Sequence, residues 1–557
     1  MVKEQETLNL AIQCHQEGNF EAAEKLYREI LEYNPTNDSV LYCLGVMANQ
    51  LGHYAAAISY LSKAVELNPT FDYYKDLGNI YFDLSRTEEA IYCYKKVLEL
   101  KLDDIDTHYN LGLIYQQTNN FDDAIKCFEN VLRLNDKDVA VYNMLGGLYF
   151  NFKKEFLTAI KCFEKAIEIK PDYADAYFNR GLVFNYVDKI DEAIKNYEKA
   201  LELNLNSDAL YINLGTAFQD KKDIEKAIYF YKKGLELYPD NSVLRFNLGC
   251  CLVKNGDFKD GWEYLESRMD IFEHHKLKFD PNLKPKWDGN QPIQDKIIYI
   301  YPASMSFGNG DSMNFARYMP ILEAMGAKVL CKVQPGLVRL FKQSNLKAEI
   351  IDNSTPDESL EFDYQMPFMS LPGAFEANPD NIPFKNSYLK ADPEKVNYYK
   401  EKYFDNNSFK VGIFWFSEVS STDRIMSLSD FYPLIQLENI KVYSLQKGSG
   451  IEQLNSLPEG MEVVNLGETF NDFSDTAAAI ENLDLVITPD TSIIHLAGAL
   501  GKPGWVMLPF LCDWRWLTDT EDSIWYESVR LFRQNEPRNW HGVMEKVVNA
   551  LKVKLSE

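Results

Sequence analysis

Small and apolar residues recur along the first half of the chain with one fixed spacing. Leu-Gly pairs stand at Leu44-Gly45, Leu77-Gly78, Leu111-Gly112, Leu145-Gly146, Leu214-Gly215 and Leu248-Gly249, with Arg180-Gly181 in the same series. Successive glycines are 33, 34, 34, 35, 34 and 34 residues apart. Ala23, Ala57, Ala90, Ala124, Ala159, Ala193, Ala227 and Gly261 form a second series of small residues, and Tyr60, Tyr94, Phe128, Phe163, Tyr197 and Tyr231 a third series of aromatics. Pro35, Pro69, Pro171 and Pro239 close several of the units. A period of this length predicts pairs of antiparallel helices, with Gly and Ala where helices cross closely and aromatic rings filling the gaps between units. One pair cannot bury its apolar face alone, so the pairs are expected to stack into an all-α right-handed superhelix with a concave groove. On this reading the aromatic series is core.

The period resembles the tetratricopeptide repeat, and residues from about 6 to 268 read as eight such units, within a domain placed at 1–270. Asn110, Asn179, Asn213 and Asn247 each precede a repeat glycine by two residues; the repeat between the first two has Met144 there, with Asn143 displaced by one. This series resembles the asparagine ladder of O-GlcNAc transferase. An amide side chain offers both a donor and an acceptor, so such a row suits the backbone of an extended peptide. The other reading is local hydrogen bonding within the helix pairs.

After Arg268 the pattern changes. Residues 271–295, with His274-His275, several lysines, three prolines and Trp287-Asp288-Gly289, read as a linker or packing segment. Short apolar runs then alternate with loops and helical stretches. Lys296–Tyr301 predicts a buried strand, followed by a loop of small residues, Phe307 to Asp311, a helix over Met313–Met325 and a strand over Ala327–Val333. Strand, loop, helix, strand is a βαβ unit. Further strands are expected at Lys410–Phe416, Asn439–Leu445, Leu483–Thr488 and Gly504–Leu508, with a helix at Ile493–Leu500. Two Rossmann-like half-domains, 296–405 and 406–557, would then face each other across a cleft, with ligands on the loops at the carboxyl ends of the strands.

Two of those loops carry candidate chemistry. In the first, Gly308 and Gly310 permit close approach of a ligand or supply a positive φ, and Asp311 is placed to open the following helix, where a bare N-cap role also accounts for it. In the second, Asp490-Thr491-Ser492 opens a helix whose free N–H groups suit a phosphate, with His495 on its first turn. Neither loop is a Walker A motif or a complete dinucleotide fingerprint.

Composition narrows the partners. With 58 Lys plus Arg against 83 Asp plus Glu, the formal net charge is −25, which disfavours nucleic-acid and anionic-membrane binding. Nothing approaches the roughly 18 apolar residues of a membrane span. The first residues lack the apolar core of a signal peptide. Nine scattered cysteines without a Cys-x-x-Cys pair fit reduced thiols and a cytoplasmic setting.

Beyond the spacings, the loops resemble a known family. Gly308-Asn309-Gly310-Asp311 with Phe315, Arg317 and Tyr318, and Asp490-Thr491-Ser492 with His495, Gly498, Gly501 and Pro503, resemble signatures of bacterial tetratricopeptide-repeat glycosyltransferases. That group is similar to the ADP-heptose:lipopolysaccharide heptosyltransferases. Asp513-Trp514-Arg515-Trp516, Trp525-Tyr526, Arg530 to Gln534 and Gly261-Trp262-Glu263-Tyr264 extend the match. The resemblance implies a GT-B pair of half-domains, the first on the acceptor side and the second holding a nucleotide-sugar, with no metal or other cofactor. It implies Asp311 as general base and Gly308, Gly310, Arg424, Gln446, Lys447, Asp490, Thr491, Ser492 and His495 as donor-binding residues. Asn110, Asn179, Asn213 and Asn247 would hold an acceptor peptide. The sequence departs from the family at Ser306-Phe307, where Glu-Gln is common, and at Met426, where a basic residue is common. Arg424 and Lys447 are near enough to substitute. The leading expectation is a glycosyltransferase acting on a hydroxyl of a protein held by the repeats. The alternatives are a non-catalytic peptide-binding scaffold with a degenerate transferase domain, and a lipopolysaccharide-directed enzyme.

Overall fold

The computed structural model describes residues 2–273, 284–302, 308–356, 360–404, 408–416 and 425–557. It divides into two compact units, 1–206 and 207–557. In the first, helical hairpins run from the pair Val2–Gln16 and Phe20–Tyr33 to the pair Ala174–Tyr186 and Ile190–Glu202. Side-chain oxygens at N-cap positions start many of these helices: Asn37 accepts from the Val40 N–H, Asp104 from Thr107 and Asp138 from Val141.

The glycine and aromatic series meet, as their spacing requires. A Cβ on Gly112 would stand 2.6 Å from Phe128 Cε1, and one on Gly181 2.6 Å from Tyr197 Cε1. Each glycine therefore lets the ring sixteen positions later lie against its helix. The expected series fails once. Gly45 faces Leu61, and the adjacent Tyr60 is only half-buried. The alanine series is fully buried at the crossings.

One repeat carries an extra residue, which accounts for the single spacing of 35 between Gly146 and Gly181. The helix Val139–Leu148 takes it up by widening into a π-helical turn, Tyr149–Lys153, which ends on Lys154 in the left-handed conformation at φ 56°. Because the insertion falls after Gly146, Phe163 lies seventeen positions on and still packs against that glycine.

The second unit opens with two more hairpins, Asp208–Asp220 with Ile224–Leu237 and Ser242–Lys254 with Phe258–Leu265. Its α/β part holds ten strands among the described residues. β1 (Ile297–Tyr301), β2 (Lys328–Val333), β3 (Glu349–Asp352) and β4 (Tyr364–Pro367) form a parallel sheet in the order β3-β2-β1-β4. β5 (Phe409–Ile413), β6 (Ile440–Ser444), β7 (Val464–Asn465), β8 (Leu485–Pro489), β9 (Gly504–Leu508) and β10 (Val529–Arg533) form a second parallel sheet, β10-β9-β8-β5-β6-β7. The second order is that of a doubly wound Rossmann sheet, and the first is two-thirds of one. In each the order reverses beside the first strand, between β1 and β4 and between β5 and β8. The crevice at the carboxyl ends of such strands is where ligands bind in this architecture.

The compact units do not divide at the expected boundary of 270. The last two hairpins group with the sheets, and the reason is a run of buried polar and aromatic contacts. Trp262 Nε1 donates to the Ala377 carbonyl at 2.7 Å, and its ring meets those of Trp514 and Trp525 edge-on. Arg268, fully buried, donates to Glu266 Oε1 at 2.8 Å and to the Ser370 hydroxyl. Of the segment expected as linker or packing, the described part packs: Trp287 is fully buried, and Pro285 and Trp287 exchange backbone hydrogen bonds with Gln365. Residues 274–283, including His274-His275, lie outside the described residues.

Candidate functional site

The two loops singled out in the sequence lie at the two switch points and meet. The first follows β1. Its helix spans Asn309–Phe315, a turn of 3-10 helix Ala316–Tyr318, and then Met319–Ala324, so it begins four residues earlier than expected and breaks at Pro320. The N-cap is Gly308, not Asp311. Asp311 sits in the first turn, where its Oδ2 accepts from the Gly308 N–H at 3.3 Å. Neither Gly308 nor Gly310 has a positive φ. Gly310 is required for space: a Cβ there would stand 2.7 Å from His495 Cδ2. Ser306-Phe307 lie outside the described residues.

The second loop follows β8. Thr491 is the N-cap of the helix Ser492–Ala499, its hydroxyl accepting from the Ile493 N–H at 3.4 Å and bonding Thr488 Oγ1 at 3.0 Å. His495 is buried on the first turn. Trp516 stacks on its ring, and its Nε2 lies 4.0 Å from Asp490 Oδ1.

A chain of hydrogen bonds assigns the proton on His495. Arg317 Nη2 can only donate, and it donates to Asn314 Oδ1 at 3.0 Å, which fixes which end of the amide is the carbonyl. Tyr526 donates its hydroxyl to the same oxygen at 3.0 Å. The Tyr526 oxygen is then the acceptor for His495 Nδ1, 3.0 Å away. His495 thus carries its proton on Nδ1, and neutral Nε2 is left with a lone pair beside Asp490. Behind this chain Arg317 is wholly buried, donating to the Trp525 carbonyl and the Tyr388 hydroxyl, with the Tyr388 and Tyr526 rings against its guanidinium.

Arg515 joins the two loops. It pairs with Asp311 and, at 2.8 Å, with Asp513. Burial opposes its charge, but Asp311, Asp513 and Asp490 outweigh that and raise its pKa above the ordinary arginine value. The site therefore holds a permanent cation among three carboxylates. The Asp513-Trp514-Arg515-Trp516 motif marked this segment in the sequence, but nothing in its spacing announced a partner 204 positions away. Asn314, Arg317 and Tyr526 also lacked a signal of their own, because none opens a helix or sits in a glycine loop.

The remaining donor candidates lie elsewhere or outside the described residues. Gln446 follows β6 with its amide fully engaged: Oε1 accepts from the Trp415 and Phe416 N–H groups, and Nε2 donates to the Phe416 and Ser449 carbonyls. It holds loops in place and offers nothing further to a ligand. Lys447 donates to the Asn471 carbonyl at 2.8 Å. Arg424 lies outside the described residues. Met426 is buried in the apolar core beside Trp415 and Leu428.

Of the asparagine series, Asn110 Nδ2 donates to the Tyr94 hydroxyl at 3.1 Å, Asn179 Nδ2 to Asn143 Oδ1 at 3.0 Å and Asn213 Nδ2 to the Ala209 carbonyl at 2.8 Å. The displaced Asn143 thereby joins the row. All of these asparagines and Asn247 are half-buried. Among the described residues no three His, Cys, Asp or Glu side chains converge to hold a metal ion. No described helix is long and apolar enough to cross a membrane.

Tetratricopeptide-repeat family models match residues 15–78, 78–119, 105–138, 153–185, 172–240 and 230–263. The N-terminal region is a tetratricopeptide-repeat array. Protein FlbA of Caulobacter vibrioides is 28% identical over 329 residues, 54% of this chain and 53% of FlbA. The chain thus spans about half the length of the curated relative it matches. Among solved structures, the MamA protein is 30% identical over 30% of this chain and 90% of its own, with a TM-score of 0.29. YrrB, described as a TPR protein with an unusual peptide-binding site, is 21% identical over 35% of this chain and 97% of its own, with a TM-score of 0.31.

Proposed function

We propose that the α/β region transfers a sugar from a nucleotide-sugar to a hydroxyl on a protein or peptide gathered by the repeats. The observation that carries this reading is the meeting of the two switch-point loops, which brings a carboxylate, a helix N-terminus and a buried guanidinium into one crevice. In the reaction, the acceptor oxygen bonds the anomeric carbon as the bond from that carbon to the diphosphate breaks. The hydroxyl proton passes to Asp311. The N–H groups opening the Ser492–Ala499 helix and the charge of Arg515 stabilise the departing diphosphate. Arg515 then supplies the cation that the family motif carries where this chain has Met426. His495 accepts at Nε2, and Tyr526, Asn314 and Arg317 keep it in that state. Transfer requires Arg515 to release Asp311, and Asp513 and Asp490 are at hand to hold it.

A panel of nucleoside diphosphates and nucleotide-sugars in thermal unfolding tests this. A ligand at a hundredfold excess over its dissociation constant adds about 2.7 kcal/mol to the native state. A shift selective for one nucleotide supports the transferase. No shift with any of them overturns it in favour of a second reading, a non-catalytic peptide-binding scaffold. Two features favour that scaffold: the burial of Met426, and the engagement of both Asp311 carboxylate oxygens.

A further inference from the structure

A separate cavity of about 550 Å³ lies where the last two hairpins meet the carboxyl edge of β9 and β10. Lys222, at the end of the Asp208–Asp220 helix, Lys254, at the end of the Ser242–Lys254 helix, and Arg533, closing β10, all line it, together with Phe510 and Cys512. Among the described residues, no carboxylate lies within ion-pair distance of any of these three cations. In a chain with 83 carboxylates against 58 basic residues, that is an unusual convergence. The acids on the rim do not supply the missing charge: Asp223 pairs with Lys226 at 3.3 Å, and Asp519 reaches no cation closely.

The three cations are held in place by other means. Arg533 spends its N–H groups on the Trp516, Leu517 and Thr520 carbonyls and on Cys512 Sγ, so it contributes charge alone. Lys254 Nζ gives one hydrogen bond, to the Cys512 carbonyl at 3.0 Å, and has two N–H groups left. Lys222 Nζ stands 3.7 Å from the centre of the Phe510 ring. Burial, with Lys254 and Arg533 as neighbours, lowers the Lys222 ammonium below the ordinary lysine value. Gathering like charges against apolar surface is unfavourable unless an anion offsets it.

We infer that this cavity binds the oxyanion group of a ligand, a phosphate or a carboxylate, between Lys222 and Lys254, with the Cys512 thiol at its wall. The inference does not rest on sugar transfer. Its residues are distinct from Asp311, Asp490 and His495, so a scaffold protein would keep the site.

The test follows the labelling of Cys512 by neutral iodoacetamide, read by mass spectrometry on the full chain at constant ionic strength. Pyrophosphate or citrate should slow it saturably. The phosphate arm and the carboxylate arm distinguish the two chemistries. Lys222→Asn removes the charge while suiting the left-handed backbone there, at φ 61°, and should abolish the protection with the fold intact by circular dichroism. An unchanged labelling rate with both anions, or equal protection in Lys222→Asn, overturns the proposal. Should Cys512 label too slowly to follow, calorimetric titration of both proteins with the same anions decides. Equal affinities for wild type and Lys222→Asn then overturn it, and loss of at least tenfold in the variant supports it.

Discussion

Asp311 and Arg515, 204 residues apart in the chain, form an ion pair that ties the loop after β1 to the segment after β9. The pair gives one carboxylate two jobs: it braces the helix start at Gly308 and it balances a buried guanidinium. Asp311→Asn keeps the shape and removes the base. Turnover should fall by roughly 10² to 10⁴-fold, while nucleotide-dependent stabilisation persists because Arg515 still holds Asp513. Wild-type turnover in this variant would place the base elsewhere.

His495 depends on Tyr526 for its protonation state. Tyr526→Phe strands His495 Nδ1–H and removes one donor from Asn314 Oδ1, in a fully buried setting. The expected cost is about 1–3 kcal/mol. Nitrogen-15 shifts of labelled histidine should show the Nδ1–H tautomer in the wild type and its loss in the variant. A wild-type Nε2–H tautomer would contradict the assignment.

Adjacent glycines in one helix should respond oppositely to alanine. A Cβ on Gly146 would lie 2.5 Å from Phe163 Cε1, whereas one on Gly147 meets nothing within 4 Å. Gly146→Ala should destabilise by about 1–3 kcal/mol through overpacking. Gly147→Ala should stabilise by about 0.5–1 kcal/mol, from the lower backbone entropy of alanine. Thermal midpoints of the two variants, measured side by side, check the sign of each.

Acid should release a contact between the half-domains. Burial raises the Asp475 carboxyl, but hydrogen bonds from Lys395 and from the Asn471 backbone and side chain outweigh it and leave it below the ordinary carboxylate range. A carboxyl lowered by folding contributes fully above its unfolded value of about 4 and loses that contribution as pH falls through its lowered value. Asp475→Asn should therefore lower the unfolding midpoint at pH 7 and progressively less below pH 4. A difference independent of pH would deny the linkage.

The repeat array was legible because the same contact is written several times: each glycine names its aromatic partner by distance along the chain. Even Tyr60, the exception, missed by a single residue. The strands β1, β2, β5, β6, β8 and β9 were legible as apolar runs, since parallel strands are buried on both faces. β3, β4, β7 and β10 were not marked as strands, being short or mixed in polarity, as in Glu349–Asp352 and Val529–Arg533. The loops at Gly308 and Asp490 were visible by their glycines and helix starts. Arg515 and Tyr526 were not, because what makes them part of the site is where the second sheet closes on the first, and no local spacing encodes that.

The π-helical turn at Tyr149–Lys153 acts as a frame-shift suppressor. An added residue inside a helix would rotate everything after it by about 100 degrees and send each later glycine away from its ring. Here the added residue is spent within a single turn, and the next spacings return to 34. A repeat protein with such a device tolerates a change of length in one unit without editing the others, so its repeats are free to diverge one at a time.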